Sequence, residues 1–325
     1  MTRLPSNNAK ISLAGLAALG ISAITIIVYN FDKWFANGVA VKRVAEACSG
    51  FGTGCSDAFT TILQVVGSPQ QLLLSLAIAV LIAAFIKAAL VVVSARRVAA
   101  RYALSGRTFP ELHNALSELG AEDIRIRVAD NDGVSAFTYG VLKPTICLSK
   151  GLVNNLNDGE LIALIAHEIG HARRRDNLAI FIALFIRDFL WALPVSHHLF
   201  AIFVREKEYA ADDFAVSLTK NPLDLAGAIV SVAKADRRKP SSPAYATFFP
   251  GKATAKARIN RLLGSGDKVR PSLSRLLASL AVSALMVITV VGFAYAQPSI
   301  KGGSLDTCRM GNACIDQDYK CCNVK

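Results

Sequence analysis

The sequence predicts an α+β membrane protein that is mostly helical, with three transmembrane helices and a small β-sheet. Of its 325 residues, 53% are hydrophobic, and the mean hydropathy of +0.40 exceeds that of an ordinary soluble domain. Three apolar windows, Ile11–Tyr29, Gln71–Ala95 and Leu276–Ala296, approach the roughly 20 residues that a helix needs to cross a bilayer. Between the second and third windows, alternating stretches give way to helix-period stretches, which indicates a sheet followed by helices.

The first window is interpreted as a transmembrane helix within residues 1–30. Arg3 and Lys10 precede the apolar stretch, as they would in a cleaved signal peptide. The stretch is longer than the usual apolar region of about 7 to 15 residues, and Tyr29–Phe31 make a poor small-residue cleavage site. We therefore predict an anchor.

Basic residues beside the windows predict the orientation, because Lys and Arg near a span resist export. They occur before the first window and on the inner flanks of the other two, at Arg3, Lys10, Arg96, Arg97, Arg101, Arg107, Arg258, Arg261, Lys268, Arg270 and Arg275. We predict a multi-pass protein of the bacterial inner membrane, with spans at 71–95 and 272–296 and residues 96–271 in the cytoplasm. The net charge of +12 needs no nucleic-acid partner, since no basic stripe or reader motif is present.

Cysteine placement agrees with this topology. Cys48 and Cys55 lie in the predicted extracytoplasmic loop at 31–70, and only Cys147 lies in the cytoplasmic region. The predicted extracytoplasmic tail at 297–325 holds Cys308, Cys314, Cys321 and Cys322. Disulfides form outside a reducing cytosol, so we predict a bridged loop and a disulfide-stapled tail, with metal capture by the tail thiols as the alternative.

Local patterns in the cytoplasmic region predict a small sheet and then helices. The predicted elements are a helix at Phe109–Leu119 and strands at Ile124–Val128, Ser135–Tyr139 and Thr145–Leu148. Asn157 followed by Glu160 predicts a capping box that starts the next helix.

That helix carries His167-Glu168-Ile169-Gly170-His171, an HExxH motif. Helical positions four apart share a face, so both imidazoles can face one metal ion with Glu168 beside it. A hydrolytic zinc site also needs a third protein ligand and an open position for water, which a carboxylate activates. The motif predicts Zn²⁺ with Glu168 as general base; the alternative is a helix whose histidines satisfy local hydrogen bonds.

The best candidate for the third ligand is Glu208, which shares a helical face with Asp212. Glu208 would reach the metal, while Asp212 would accept a hydrogen bond from the free ring nitrogen of a ligating histidine. The alternative is a solvated helical face.

These motifs, together with Ala136–Gly140, Cys147–Ser149 and Arg258–Leu263, resemble those of the membrane gluzincin metallopeptidases over roughly residues 70–296. That group includes the antirepressor peptidases of beta-lactam signalling, the HtpX-type proteases and the CAAX prenyl proteases. The resemblance implies a zincin-like catalytic domain with zinc on His167, His171 and Glu208. It also implies that a substrate peptide pairs with an edge strand at Ala136, Phe137 and Thr138.

The apolar stretch at 177–204 separates the histidines from Glu208 and is too short for two crossings. A single crossing would place the ligands on opposite sides of the membrane. We therefore predict a re-entrant or interfacial helical hairpin with its break at Pro194. We interpret His197 and His198 as polar turn or interfacial residues rather than metal ligands. The HtpX pattern has two full spans here, so this feature favours the antirepressor branch.

The predicted activity is hydrolysis of peptide bonds in cytoplasmic or membrane-proximal proteins by an integral-membrane zinc metalloendopeptidase, in regulated signalling. One alternative is an HtpX-like quality-control protease. From another class, the alternative is a non-catalytic membrane sensor or receptor that retains the peptidase fold. The sequence indicates no particular oligomeric state.

Overall fold

A computed structural model describes residues 7–35, 69–101, 112, 116–121, 123–130, 132–238, 252–264 and 272–295. The elements are α1 (Asn7–Phe35), α2 (Pro69–Arg101), β1 (Arg125–Ala129), β2 (Ala136–Tyr139), β3 (Thr145–Ser149), α3 (Lys150–Asn155), α4 (Asp158–Arg173), α5 (Asp176–Phe189), α6 (Pro194–Thr219), α7 (Pro222–Arg238), α8 (Lys252–Leu262) and α9 (Leu273–Tyr295). The six cysteines that are predicted to be extracytoplasmic, and most of the predicted helix at Phe109–Leu119, lie outside the described residues.

Among the described residues, three helices are long and apolar enough to cross a membrane, as predicted. Their candidate spans are Asn7–Ile26 in α1, Ser75–Ser94 in α2 and Leu273–Val290 in α9. Many large apolar side chains on these helices are exposed. Such exposure is typical of surfaces that face lipid.

The small sheet is mixed, with strand order β1-β3-β2. β3 runs parallel to β1 and antiparallel to β2, so β2 is an edge strand within the described residues. β1 begins one residue later than predicted, at Arg125. Gly140 follows β2 with φ +93, and a Cβ there would meet the carbonyl oxygen of Lys143, so the turn into β3 requires glycine.

The main core lies between the sheet and α4, and α7 also packs against that helix and contributes to the same core. Ile146 and Leu148 from β3 meet Ile165 and Ile169 from α4, and all four are fully buried. α4 begins with the predicted capping box, in which the Asn157 side chain and the Glu160 side chain each accept from the other residue's backbone. The motif helix is therefore fixed at its start and along one face.

The stretch after the motif folds as two helices joined by a short turn. α5 ends at Phe189, and Pro194 occupies the first turn of α6, where a missing N–H costs no helical hydrogen bond. Arg175, with φ 51, forms the sharp connection between α4 and α5. α6 then continues to Thr219 and carries Glu208 back beside α4.

Candidate metal centre and active site

Two helices bring the predicted ligand residues together. His167 and His171 come from α4 and Glu208 from α6, and their ligand atoms all lie within 4.8 Å of one another. The two Nε2 atoms are 3.1 Å apart. All three side chains are buried, so the group is removed from bulk solvent. The hairpin does not separate the ligands, because the chain returns to α4 after it.

Each histidine is oriented by a buried carboxylate. His167 Nδ1 lies 3.0 Å from Asp212 Oδ1, and His171 Nδ1 lies 2.8 Å from Asp176 Oδ2. These contacts leave both Nε2 atoms directed into the same space, as in metal sites where a carboxylate fixes the ring of a ligating histidine. The contact with Asp212 was predicted from the sequence. The contact with Asp176 was not, although an acidic residue five positions after the motif was a usable signal.

Glu208 divides its two oxygens between a cation and the candidate metal position. Oε2 accepts a hydrogen bond from Arg258 Nη1 at 2.8 Å. Oε1 is buried without a hydrogen-bond partner in the described part of the chain and lies 3.4 Å from His171 Nε2. Two imidazole nitrogens and one unpaired carboxylate oxygen fit a zinc ion that keeps a fourth position for water.

Arg258 reaches the site from α8. Its Nε and Nη2 donate to the two oxygens of Asp212 at 2.9 and 2.6 Å. Burial opposes its charge, but the carboxylates of Asp212 and Glu208 outweigh that effect and raise the pKa of Arg258. From the sequence, Arg258 is visible only as part of a motif and of a basic flank, because a contact across 50 residues is set by tertiary structure.

The charges around the histidines favour a cation at the site. Burial tends to raise the pKa of Glu208, but Arg258 and His171 outweigh it and hold that pKa far below its usual range. Burial tends to lower the pKa of His171, but the nearby carboxylates of Asp176 and Glu208 outweigh that effect and raise it to about 10. Without metal, a proton on His171 supplies the positive charge that a metal ion would bring.

The predicted base lies against the edge strand. Thr138 Oγ1 donates to Glu168 Oε2 at 2.7 Å, and both side chains are buried. Phe137, the middle residue of the predicted substrate strand, instead packs with Ala129 and Cys147 on the other side of the sheet. Thr138 therefore connects the strand to the base.

The free edge of β2 is partly occupied. Ser149 N donates to Ser135 O, and in this register the peptide groups of Ala136 and Thr138 face away from β3. The Asn177 side chain donates to Thr138 O at 2.8 Å. Asn177 thus already satisfies one carbonyl on this edge, and this contact was not predicted from the sequence.

The remaining pair of predicted turn histidines lies apart from the site. His197 Nε2 is 2.8 Å from the carbonyl oxygen of Trp191 at the hairpin turn. Among the described residues, the candidate metal ligands are His167, His171 and Glu208.

Comparison with known proteins agrees with this geometry. Residues 110–265 match peptidase family M48. A "Protease HtpX homolog" of Acidiphilium cryptum is 29% identical over 208 residues, which cover 52% of this chain and 72% of the relative. Homologues of the same name from Bacteroides fragilis and Salinibacter ruber are 28% identical over 203 residues and 29% identical over 162 residues. They cover 49% and 40% of this chain.

The chain spans 63% and 59% of the length of the latter two relatives. The resemblance to membrane zinc metallopeptidases is confirmed, and these names indicate the HtpX type. The closer kinship with the antirepressor peptidases stays a prediction.

Proposed function

Since residues 110–265 match peptidase family M48, we propose that the chain is an integral-membrane zinc metalloendopeptidase. His167, His171 and Glu208 hold Zn²⁺, and Glu168 is the general base. The observation that carries this proposal is the convergence of three buried ligand atoms within 4.8 Å of one another, together with the unpaired Glu208 Oε1.

The residues of the site have distinct tasks in peptide hydrolysis. Zinc, when bound, supplies Lewis-acid chemistry to the attacking water and the scissile carbonyl. Glu168 takes the proton from that water and passes it to the departing amine, and the Thr138 hydroxyl holds its Oε2 in position. Asp212 and Asp176 hold the two imidazoles, and Arg258 keeps Glu208 and Asp212 ionised.

The substrate is a protein chain that adds to the free edge of β2. Main-chain pairing of this kind supplies affinity without fixing the sequence of the substrate. Ala136 offers its peptide groups on that edge, whereas Asn177 covers the carbonyl of Thr138. The paired segment therefore lies next to Thr138, whose hydroxyl contacts Glu168.

The proposed location is a bacterial inner membrane with the catalytic region in the cytoplasm and the C-terminus outside. The support is the set of basic residues at the inner ends of the spans, including Arg96, Arg97 and Arg275. A reporter fused after Lys325 tests the orientation, because a cytoplasmic signal there contradicts it.

Two biological roles fit the same chemistry. The name of the relatives, protease HtpX homolog, favours the HtpX-like alternative. The predicted outer segments favour cleavage in regulated signalling. A non-catalytic receptor is disfavoured because a buried carboxylate stands at the base position, where Glu168 accepts from Thr138.

The test compares the wild type with Glu168→Gln in membranes and follows bound zinc and casein cleavage. Loss of a general base lowers the rate about 10²- to 10⁴-fold, and zinc should be retained because Glu168 is not a ligand. Glu118→Gln is the matched control, since Glu118 is exposed. Equal rates for the wild type and Glu168→Gln would end the proposal.

A further inference from the structure

The α5–α6 hairpin packs among the three candidate spans in two layers. In the layer near the catalytic residues, Leu16 of α1 and Val91 of α2 lie in one cluster with Leu184 and Phe203 of the hairpin. The second layer lies farther from the catalytic residues. There, Leu19 and Ala23 of α1 and Val80 and Ala84 of α2 pack with the end of the hairpin at Phe189, Leu190 and Leu193. The hairpin therefore runs alongside the spans away from the site.

The hairpin turn reaches about half the depth of these spans. Ala84 precedes Ser94, the end of its candidate span, by about 15 Å of helix, and a bilayer core is about 30 Å thick. On α9, Ser283 Oγ accepts from Val195 N at 3.2 Å, again near the middle of a span. We infer that the hairpin enters the bilayer from the side of the catalytic domain and turns back near the middle.

A charged triad lies close to that turn. Lys87 Nζ is 2.9 Å from Asp188 Oδ2, and Arg187 Nη2 is 2.6 Å from Asp188 Oδ1. The Arg187 guanidinium also lies 4.5 Å from the centre of the Phe200 ring. Two cations thus share one carboxylate, which leaves one positive charge unmatched within the triad.

The unmatched charge faces outward at Lys87. The Lys87 side chain is 51% exposed, whereas Asp188 is 10% exposed and Arg187 15%. An ammonium group that faces lipid is costly, and intramembrane charges in proteins are almost always paired or exposed to a water-filled cavity. A complementary carboxylate at this position would neutralise the triad.

A lipid headgroup is poorly placed to supply that negative charge. Lys87 lies about 10 Å of helix inside Ser94, and helical side chains tilt towards the helix N-terminus, here away from Ser94. The contact with Asp188 holds the ammonium at this depth. An acidic side chain on a neighbouring transmembrane helix can meet it there without a membrane defect.

The surface beside Lys87 suits a close helix. Ala83 and Ala79 are exposed and stand one and two turns from Lys87 on the same face, and small residues at this spacing let two helix backbones approach. α2 also contacts β2. A helix that follows α2 towards the catalytic domain therefore ends beside the edge strand.

We propose that Lys87, Ala79 and Ala83 form a docking surface for a transmembrane helix of the substrate, which carries Asp or Glu about two turns inside the membrane boundary. The carboxylate pairs with Lys87, and the segment that follows leaves the membrane next to β2. This inference rests on the proposed peptidase function and names its substrate class as membrane proteins with an intramembrane acidic residue.

The test uses the full chain in phosphatidylcholine vesicles with three model substrates of one transmembrane helix. They differ only in a Glu, Gln or Lys about 7 residues inside the boundary. The wild type should cleave the Glu substrate with a kcat/KM about tenfold above that of the Gln substrate. Lys87→Arg should keep this ratio, Lys87→Gln should abolish it, and Lys87→Glu should favour the Lys substrate. Because each ratio is measured within one variant, a loss of folded protein cancels.

An unchanged ratio in Lys87→Gln overturns the inference. So does a rate that depends on Lys87 and added phosphatidylglycerol but not on the substrate residue, because Lys87 would then bind lipid phosphate. If the wild type cleaves casein but shows no preference, the docking surface alone is refuted. If it resembles Glu168→Gln on casein as well as on the helices, the proposed function and the inference fail together.

Discussion

Asp176 shows how one buried carboxylate can organise the site. It is fully buried and lies 2.8 Å from each of three cationic groups, on His171, Arg174 and Lys207. Burial tends to raise the pKa of Asp176, but these partners, His171 first, lower it to about 2. Its negative charge therefore both holds a candidate zinc ligand and compensates a buried lysine.

We expect Asp176→Ala to weaken both stability and metal binding. Removal of the carboxylate leaves Lys207 buried without its partner, which costs about 3 to 5 kcal/mol, and loss of the histidine contact lowers zinc affinity about 10- to 100-fold. Thermal unfolding and competition with a chelator measure the two effects. Asp213→Ala is the control, since its pair with Arg261 is largely exposed and should contribute less than about 1 kcal/mol. Unfolding of Asp176→Ala at the wild-type temperature would contradict this role.

The protonation of His171 predicts how zinc binding depends on pH. In the metal-free protein the pKa of His171 is raised from 6.5 to about 10, so at neutral pH zinc must displace a proton. The apparent zinc affinity should therefore rise with pH, about tenfold per unit between about pH 6 and 8. Chelator competition at several pH values gives the slope. A slope of zero would mean that His171 is already neutral before zinc binds.

At the scale of the elements, local sequence patterns were enough to predict much of the site. The HExxH spacing and the Asn157 capping box predicted α4, and the length of the apolar stretch with Pro194 predicted the α5–α6 hairpin. Asn177 and Arg258 were missed because their contacts with Thr138 and Glu208 depend on how distant elements pack. Periodicity reports which face of an element is buried and does not identify its partner.

The contact between α1 and the hairpin predicts a sensitive position at Gly15. A Cβ there would lie 3.3 Å from Leu199 Cδ1, so Gly15→Leu should separate α1 from α6 and destabilise the protein by about 1 to 3 kcal/mol. Gly292→Leu on α9 is the matched control, because nothing lies within 4 Å of its added Cβ. Thermal unfolding of the purified proteins measures the difference. If both variants unfold together, the α1 contact contributes little.

At the scale of the whole molecule, the first span is part of the support of the site. Ala9 and Leu16 of α1 are almost fully buried against Phe200, Phe203 and Val204 of α6. The same helix α6 carries Glu208 about one turn after Val204. The boundaries of an anchor at 1–30 and a peptidase domain at 96–271 stay a prediction. In the structure, α1 packs directly against the helices of the predicted peptidase domain.

This packing predicts that residues 96–271 alone will not retain the metal site. Without α1 and α2, the fragment exposes Phe200, Phe203 and Val204 to water, and burial of each large apolar side chain is worth about 1.5 to 3 kcal/mol. α6 would lose its packing against α1, so Glu208 would no longer be held within 4.8 Å of the histidines. We expect the fragment to aggregate or to bind zinc much more weakly than the full chain in detergent. Light scattering and zinc content check this, and a monomeric fragment with full zinc binding would show that the catalytic region folds independently of the spans.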